Sequence, residues 1–153
     1  MGRRPVNLGD GLDFVGSRAQ GVLVTRRADG RPQLSNILYH SSGGARGGDP
    51  DPVVRISVTD TRAKTRNLRR EPSASLYVPG ESFWSYVVLD ATAELSPVAA
   101  AADDSTVEEL VELYRSIRGA DHPDWSEYRE AMVTERRLVV RLRPTHAYGV
   151  TQR

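Results

Sequence analysis

Short runs of apolar residues, several of them alternating with polar ones, recur along the chain, and this pattern is typical of β-strands. The Asp29-Gly30 dipeptide lies between the first two runs and predicts a tight hairpin turn. Glycine and proline residues separate several of the later runs and mark where they end. We therefore predict six or seven strands. Six lie over residues 21–26, 31–40, 53–58, 73–78, 83–95 and 136–143, and the pattern leaves open a short seventh over residues 145–150.

Two longer segments have the spacing of helices instead. Between residues 99 and 118, apolar side chains recur every three or four positions, as they do on one face of a helix. Residues 124–133 begin with Asp124, which can cap a helix, and Glu127 follows three positions later. We expect both segments to interrupt the sheet rather than to alternate with its strands.

The order of these elements favours a mainly β fold with a few helices, such as a small barrel or sandwich. No internal repeat or long linker divides residues 1–153, so we expect a single domain. Residues 41–52 are rich in Gly, Asp and Pro and predict a mobile surface loop without chemistry. A barrel of this size fills its own interior with side chains, so a ligand must bind outside it, in a groove or between subunits.

Composition narrows the chemistry. The chain has 153 residues with 21 basic and 20 acidic side chains, and a net charge of +1 argues against a nucleic-acid partner held by bulk charge. It contains no cysteine, which excludes disulfides, thiolate metal sites and a cysteine nucleophile. The histidines show no metal-ligand spacing, so we expect no metal. Without a signal peptide or a long apolar run, we expect a cytoplasmic protein with no membrane partner.

One segment stands out as a candidate anion site. Residues 59–70 predict a short helix that Asp60 or Thr61 caps, and its first turn offers free backbone N–H groups and the hydroxyl of Thr65. Helix N-termini and cationic side chains both attract phosphate. A solvated basic helix is the alternative. The segment holds the only lysine of the chain among its five positive charges, which are Arg62, Lys64, Arg66, Arg69 and Arg70.

Two further groups of side chains could complete a site around that helix. Gln33, Ser35 and Asn36, on the second predicted strand, offer neutral donors and acceptors suited to the edge of a heterocycle. Residues 83–86 contain three aromatic side chains at the start of the fifth predicted strand. These could stack on a ligand, although their pattern favours packing in the core or at a subunit interface.

Taken in order, four stretches of the chain resemble the actinobacterial F420-dependent (deazaflavin-dependent) reductases of the pyridoxamine 5'-phosphate oxidase-like, flavin-binding split β-barrel superfamily. The resemblance covers nearly the whole chain and implies a six-stranded antiparallel split β-barrel. It also implies a homodimer with two cofactor sites at the subunit interface. The stretches that carry it are Gly21-Val-Leu-Val-Thr25, Asp29-Gly-Arg-Pro-Gln-Leu-Ser-Asn36, Arg62-Ala-Lys-Thr-Arg-Asn-Leu-Arg-Arg70 and Trp84-Ser-Tyr86.

The resemblance also implies which residues bind the cofactor, coenzyme F420 or, in sister groups, FMN. The turn before the basic helix would hold the cofactor phosphate, the second strand would lie against the ring system, and Trp84 would approach from the partner subunit. The arginines of residues 66–70 could meet the acidic tail of F420, which FMN lacks. The implied cofactor-binding residues are Gln33, Ser35, Asn36, Ser57, Arg62, Ala63, Lys64, Thr65, Asn67 and Trp84.

The implied activity is hydride transfer from reduced F420 to an electron-poor small-molecule acceptor, with no protein nucleophile and no catalytic residue that the sequence identifies. Two alternatives stay open: an FMN-dependent oxidase or reductase on the same barrel, and a protein that binds a flavin-like or tetrapyrrole molecule without turnover. Oxidation of vitamin B6 is not indicated, because the chain ends in residues 144–153 without the arginine-rich R-L-x-P tail of those oxidases.

Overall fold

A computed structural model of the chain describes residues 5–44 and 48–151. Within these residues the fold is mainly β, with four helices of eight residues or more. In chain order the elements are α1 (Leu8–Gly16), β1 (Gln20–Arg26), β2 (Pro32–Leu38), β3 (His40–Ser41), β4 (Val54–Thr59), α2 (Ala63–Arg70), β5 (Ser73–Pro79), β6 (Tyr86–Leu95), α3 (Ser105–Arg118), α4 (Trp125–Thr134) and β7 (Arg137–Val150).

The strands form one antiparallel sheet of seven strands in the order β2-β1-β5-β6-β7-β4-β3. The sheet curls into a half-barrel, and β2 contacts β4 across its open side. The Asp29-Gly30 hairpin is confirmed: the Gly30 N–H donates to the Arg27 carbonyl at 2.9 Å, and Gly30 has a φ of +85°, which favours glycine. The implied count of six strands differs from the seven observed.

Two strand boundaries also differ from the sequence prediction, and their effects on the number of strands cancel. The predicted strand over residues 31–40 breaks at Tyr39. Its N–H still donates to the Ala19 carbonyl, in register with the β1–β2 pairing, but the residues after it form β3 and pair with β4 instead. The two strands predicted after residue 136 are one continuous strand, β7. A bulge opposite Asp90 and Ala91 leaves Thr145 unpaired, and it accommodates the proline that had suggested a break.

The core lies inside the half-barrel, where alternate strand residues are buried. Leu23, Leu76 and Leu89 are fully or almost fully buried on neighbouring strands and face one another across the register. Tyr39 is fully buried as well, and its hydroxyl donates to the Val15 carbonyl at 2.6 Å, which ties α1 to the barrel. Burial raises the pKa of Tyr39, so its hydroxyl stays protonated.

Helix α1 was not predicted from the sequence. Asn7 caps it by accepting a hydrogen bond from the Asp10 N–H at 2.8 Å, and its buried side chains are Leu12 and Val15. The helix approaches β7 so closely that a Cβ on Gly11 would lie 2.6 Å from the Cβ of Ala147. Gly11 weakens the helical pattern in the sequence, but it is the residue that allows this close packing.

The predicted caps of α2 are wrong. The helix begins at Ala63 with Arg62 as its N-cap, and no side chain caps it. The Asp60 carboxylate forms ion pairs with Arg69 and Arg136 instead, so it ties the loop before α2 to the end of that helix and to the start of β7. These ion pairs hold the pKa of Asp60 below its usual range.

Helices α3 and α4 build a second, smaller core against β7. The predicted cap at Asp124 is confirmed, since its carboxylate accepts from the Glu127 N–H at 3.1 Å. Helix α3 begins later than predicted because Asp104 caps it, accepting from the Val107 N–H at 2.8 Å. The Glu109 carboxylate anchors α3 to the sheet through Arg55 on β4 and Arg141 on β7.

The predicted loop over residues 41–52 lies partly outside the described residues. On its described flanks, the Ser42 hydroxyl donates to the Asp49 carboxylate at 2.8 Å and accepts from the Val53 N–H at 2.9 Å. These bonds close the base of the loop. Across the described parts of the chain, no helix has the length and apolar character needed to cross a membrane.

Candidate functional site

The main cavity has a volume of about 660 Å³ and lies where the half-barrel is open, between β2 and β4. Its volume falls within the roughly 300–1,000 Å³ typical of small-molecule sites. The start of α2, one side of the α3–α4 pair and the start of β7 complete it. Seven of the ten predicted cofactor-binding residues line this cavity, namely Gln33, Ser35, Asn36, Ser57, Arg62, Ala63 and Lys64.

Two strands place neutral polar groups on the cavity. Gln33 and Ser35 alternate along β2 and are half-buried, whereas Asn36 points to the opposite face of the strand and reaches the cavity at its rim. Asn36 also lines a smaller groove on the outer side of β1 and β2. On β4, Ser57 lies on the side that faces away from the barrel core. The cavity is thus outside the packed interior, as the size of the barrel predicts.

The first turn of α2 places donors and positive charge at one end of the cavity. The backbone N–H groups of Thr65 and Arg66 donate to the Arg62 carbonyl. In the part of the chain that the structure describes, no hydrogen bond takes up the N–H groups of Ala63 and Lys64. Uncapped N–H groups at a helix start attract anions.

The cavity is electrostatically positive. Its described lining residues include three arginines and Lys64, and none of them is acidic. Neither Arg62 nor Lys64 forms an ion pair with a described residue, whereas Arg137 pairs with Glu135 at 3.0 Å. Partial burial, together with the nearby charges of Arg62 and Arg137, lowers the pKa of Lys64 below the ordinary range of lysine. A bound anion would stabilise the charged form of Lys64, and so offset both its partial burial and its repulsion from these arginines.

Three predicted cofactor-binding residues do not line the cavity. Thr65 is fully buried, and its hydroxyl donates to the Thr59 carbonyl at 2.8 Å, so that proton is not available to a ligand. The buried Asn67 amide donates to the Thr25 hydroxyl at 3.1 Å. Trp84 lies in the turn before β6 and is 66% exposed, with its ring edge-to-face against Phe83. The strand predicted over residues 83–95 starts too early, because β6 begins at Tyr86.

The later arginines of α2 also point away from the cavity. Arg66 donates to the Thr61 carbonyl at 2.9 Å, Arg69 pairs with Asp60, and Arg70 donates to the Arg26 carbonyl at 2.8 Å. These bonds fix the helix against its surroundings. None of the three lines the cavity, so the structure gives them a structural role rather than contact with a ligand there.

Sequence reasoning missed the opposite wall of the cavity. It is formed by α3, α4 and the start of β7, and its residues are Leu113, Tyr114, Ile117, Arg118, Tyr128, Met132 and Arg137. Tyr114 and Ile117 belong to the apolar stripe that predicted α3. They are only half-buried, however, and a sequence pattern does not distinguish a side chain in the core from one on a cavity wall.

The cavity is suited to binding and positioning a ligand. No histidine, aspartate or glutamate is among its described lining residues, and no group of three potential metal-ligating side chains forms in the described chain. The Tyr128 hydroxyl donates to the Leu110 carbonyl at 3.0 Å, and burial raises the pKa of Tyr128 to about 12. The arrangement fits a phosphate at the α2 end and a planar ring system along β2.

Comparison with solved structures shows the same fold. An F420 reductase matches with a TM-score of 0.58 and 21% identity over 84% of this chain and 88% of that one. A conserved hypothetical protein of Mycobacterium tuberculosis, Rv2991, matches with a TM-score of 0.65 and 22% identity over 90% and 81%. The heme storage protein HutZ of Vibrio cholerae matches with a TM-score of 0.62 and 16% identity over 89% of both chains.

A protein-family model matches most of the chain, including the cavity. The family model of pyridoxamine 5'-phosphate oxidase matches residues 12–151, which include every strand, helices α2 to α4 and all residues lining the cavity. This chain therefore belongs to the pyridoxamine 5'-phosphate oxidase family.

Proposed function

We propose that the protein is an oxidoreductase that uses coenzyme F420, transferring a hydride from the reduced cofactor to an electron-poor small molecule. The observation that carries this proposal is the positive end of the cavity, where Arg62, Lys64 and the free N–H groups of α2 adjoin the polar surface of β2. A phosphorylated ring cofactor has matching parts. The family and the fold of an F420 reductase support the same conclusion.

The phosphate-binding step depends on Lys64 and Arg62. Both cations line the cavity without an ion-pair partner among the described residues, and Lys64 is half-buried next to other positive charges. A phosphate would accept charge-assisted hydrogen bonds from these side chains and from the N–H groups of Ala63 and Lys64. Thr65 contributes by fixing this turn to β4 rather than by touching the ligand.

The ring system would lie along β2. Gln33 and Ser35 present amide and hydroxyl groups at half-buried positions, and Asn36 presents a second amide at the rim. These groups donate and accept hydrogen bonds at the edge of a heterocycle. The bound cofactor supplies the hydride, and the protein contributes orientation and exclusion of water.

We also propose a homodimer whose interface adjoins the site. Directly paired residues point to the same face of a sheet. One such row crosses five strands on the outer side of the half-barrel, and it begins at the cavity rim and ends at the 48% exposed Tyr148. We call it the outer row, and it consists of Asn36, Val22, Tyr77, Val88 and Tyr148. A second copy covering this row would bring its own residues next to the cavity, and Trp84 stays a predicted contact of that kind.

FMN is the second candidate cofactor, and one observation favours it. The arginines expected to meet the acidic tail of F420 are engaged in bonds within the protein. FMN needs only the phosphate and ring positions described above. A protein that binds heme without turnover is the third reading, since HutZ shares the fold. The structure does not favour heme binding, because no histidine that could serve as an axial ligand of heme iron is among the described lining residues.

The experiment that separates these readings is a titration of the purified protein with F420, FMN and hemin in parallel. We expect saturable binding of F420. In a separate assay with F420 that has been reduced beforehand, we expect the protein to oxidise the reduced cofactor when enones or quinones are added. Tight FMN binding without F420 binding would establish the FMN alternative. Stoichiometric binding of any of the three without turnover across the acceptor panel would contradict the proposed oxidoreductase activity.

A further inference from the structure

We infer that the α3–α4 side of the cavity is the binding site for the acceptor, and that the acceptor is a flat, conjugated molecule carrying an acidic group. This inference rests on the proposed function, because a second ligand of the cavity is an acceptor only if the bound cofactor transfers a hydride to it. The residues that carry it are Tyr114, Ile117 and Arg118 of α3, with Tyr128 and Met132 of α4.

The two walls of the cavity differ in chemistry. The wall of β2, β4 and α2 is polar and cationic, whereas the wall of α3 and α4 presents aromatic and aliphatic side chains. A phosphorylated cofactor uses the first wall. The second wall keeps apolar surface in contact with water until another apolar ligand covers it, and covering such surface is favourable by about 25 cal/mol per Å².

Tyr114 is held in one orientation by its neighbours. Its ring makes edge-to-face contacts with Trp125 at 5.6 Å, Tyr128 at 5.2 Å and His122 at 5.2 Å between centroids. The Arg115 guanidinium lies 4.9 Å from the Trp125 ring and supports the cluster from outside. A side chain fixed in this way is a preorganised surface for a planar ligand.

The apolar stripe of α3 continues beyond the core. Val107 and Leu110 are fully buried in the second core, but Ile117, two turns further along, is half-buried and lines the cavity. Met132 on α4 is the buried end of the same wall. The stripe therefore has two functions, with its first half packing the helix and its second half facing a ligand.

Arg118 gives this wall its charge preference. It lines the cavity, its guanidinium lies 5.8 Å from the Tyr114 ring, and no ion pair joins it to a described residue. Arg137, in contrast, is already paired with Glu135. With Arg62 and Lys64 on α2 taking the cofactor phosphate, Arg118 is a separate cation on a different element. It is positioned to bind a carboxylate or sulfonate of the second ligand.

The test uses 1-naphthoate and its neutral analogue 1-naphthamide, titrated by fluorescence into the protein with and without saturating cofactor. We expect naphthoate to bind about tenfold more tightly than naphthamide, the size of a charge-assisted hydrogen bond at a partly exposed site. Arg118→Gln should abolish this difference. Ile117→Ala should weaken both probes about equally, and Tyr114→Leu provides a second change to the same wall.

Arg129→Gln is the matched control, since it removes a positive charge from the same helix pair, where Arg129 is paired with Glu108 and does not line the cavity. It should preserve the preference for naphthoate. Cofactor titrations of the same variants separate the two proposals, because Arg118→Gln should leave cofactor affinity unchanged. If the protein binds the naphthoate probe as expected but binds no cofactor, the proposed function is wrong, whereas the α3–α4 side of the cavity is still a binding site for an acidic planar ligand.

Three results would overturn this inference. The first is equal affinity for the two probes, and the second is a preference for naphthoate that survives Arg118→Gln. The third is displacement of naphthoate by the cofactor, which would place both ligands on the same wall. Unchanged folding of the Arg118→Gln variant, measured by its thermal midpoint, makes each of these results interpretable.

Discussion

The Thr65 hydroxyl donates a 2.8 Å hydrogen bond to the Thr59 carbonyl, which fixes the first turn of α2 to the last residue of β4. This part of the chain carries Arg62 and Lys64, two cations of the cavity that form no ion pair with a described residue. This buried bond therefore sets where positive charge lies relative to β2. It explains why a residue that the sequence assigns to the ligand is important without touching it.

Thr65→Val should remove this bond while keeping the shape of the side chain. Because one hydrogen bond is lost, while the Thr59 carbonyl still accepts from the Arg62 N–H at 3.2 Å, we expect the free energy of unfolding to fall by about 1 kcal/mol. Affinity for the cofactor should fall as well, since the turn is no longer fixed. Thr65→Ser, which keeps the hydroxyl, should retain most of the affinity. Denaturant unfolding and cofactor titration of both variants measure these effects, and equal affinities for the two would refute this role.

Binding of a phosphorylated cofactor should weaken at alkaline pH. The pKa of free Lys64 is lowered by partial burial and by Arg62 and Arg137, so the side chain begins to lose its charge below the ordinary range of lysine. A bound phosphate stabilises the charged form and raises that pKa, so binding takes up protons as pH approaches it. The dissociation constant should rise with pH, and in Lys64→Arg this rise should move to higher pH. A pH-independent dissociation constant up to pH 10 would contradict this assignment.

Glu109 should stabilise the protein through its ion pairs with Arg55 and Arg141. These pairs hold its pKa below the unfolded value, so the stabilisation is present above the unfolded pKa and is lost as pH falls through the folded one. Glu109→Gln should lower the free energy of unfolding by about 1–2 kcal/mol at neutral pH, reduced from the buried-pair range by partial exposure.

The deficit of Glu109→Gln should shrink as pH falls below the unfolded pKa of glutamate, about 4.3, because protonation of the wild-type carboxylate removes its ion pairs. Glu112→Gln is the control, since its carboxylate is exposed on the same helix and pairs only with Arg115 among the described residues. Thermal unfolding of the three proteins between pH 3 and 7 tests this. A deficit that stays constant with pH would show that the ion pairs are not its source.

The outer row should be the dimer interface. Tyr148→Arg places a charge at its end and should convert a dimer into monomers in analytical ultracentrifugation, with loss of cofactor affinity if both copies form each site. Ser126→Arg, on the exposed side of α4, should leave the dimer intact. A wild-type protein that sediments as a monomer, or a monomeric variant with full cofactor affinity, would contradict the interface site.

Much of the barrel and one wall of the site are predictable from the sequence because their signals are local. The Asp29-Gly30 turn fixes the β1–β2 hairpin, and alternation along β2 places Gln33 and Ser35 on one face. The position of Lys64 at the start of a basic helix predicts its place at the cationic end of the cavity. Each of these features depends on residues that are neighbours in the chain.

Features that depend on distant residues could not be predicted. Asp60 resembles a helix cap in sequence, but Arg136 draws its carboxylate into an ion pair 76 positions away. Gly11 makes α1 look unfavourable until Ala147 is known to lie against it. The α3–α4 wall of the cavity also depends on distant residues. Nothing along α3 shows that Tyr114 and Ile117 face β2 and β4 rather than the core.

The most direct test of the central claim measures phosphate recognition at Lys64. F420 and FMN should each be titrated beside their phosphate-free chromophores, into the wild-type protein, Lys64→Gln and the control Arg66→Gln. For the cofactor that binds, we predict a preference for the phosphorylated form of about tenfold or more, retained in Arg66→Gln and largely lost in Lys64→Gln. A phosphate preference that is absent from the wild-type protein, or unchanged in Lys64→Gln, would contradict the account.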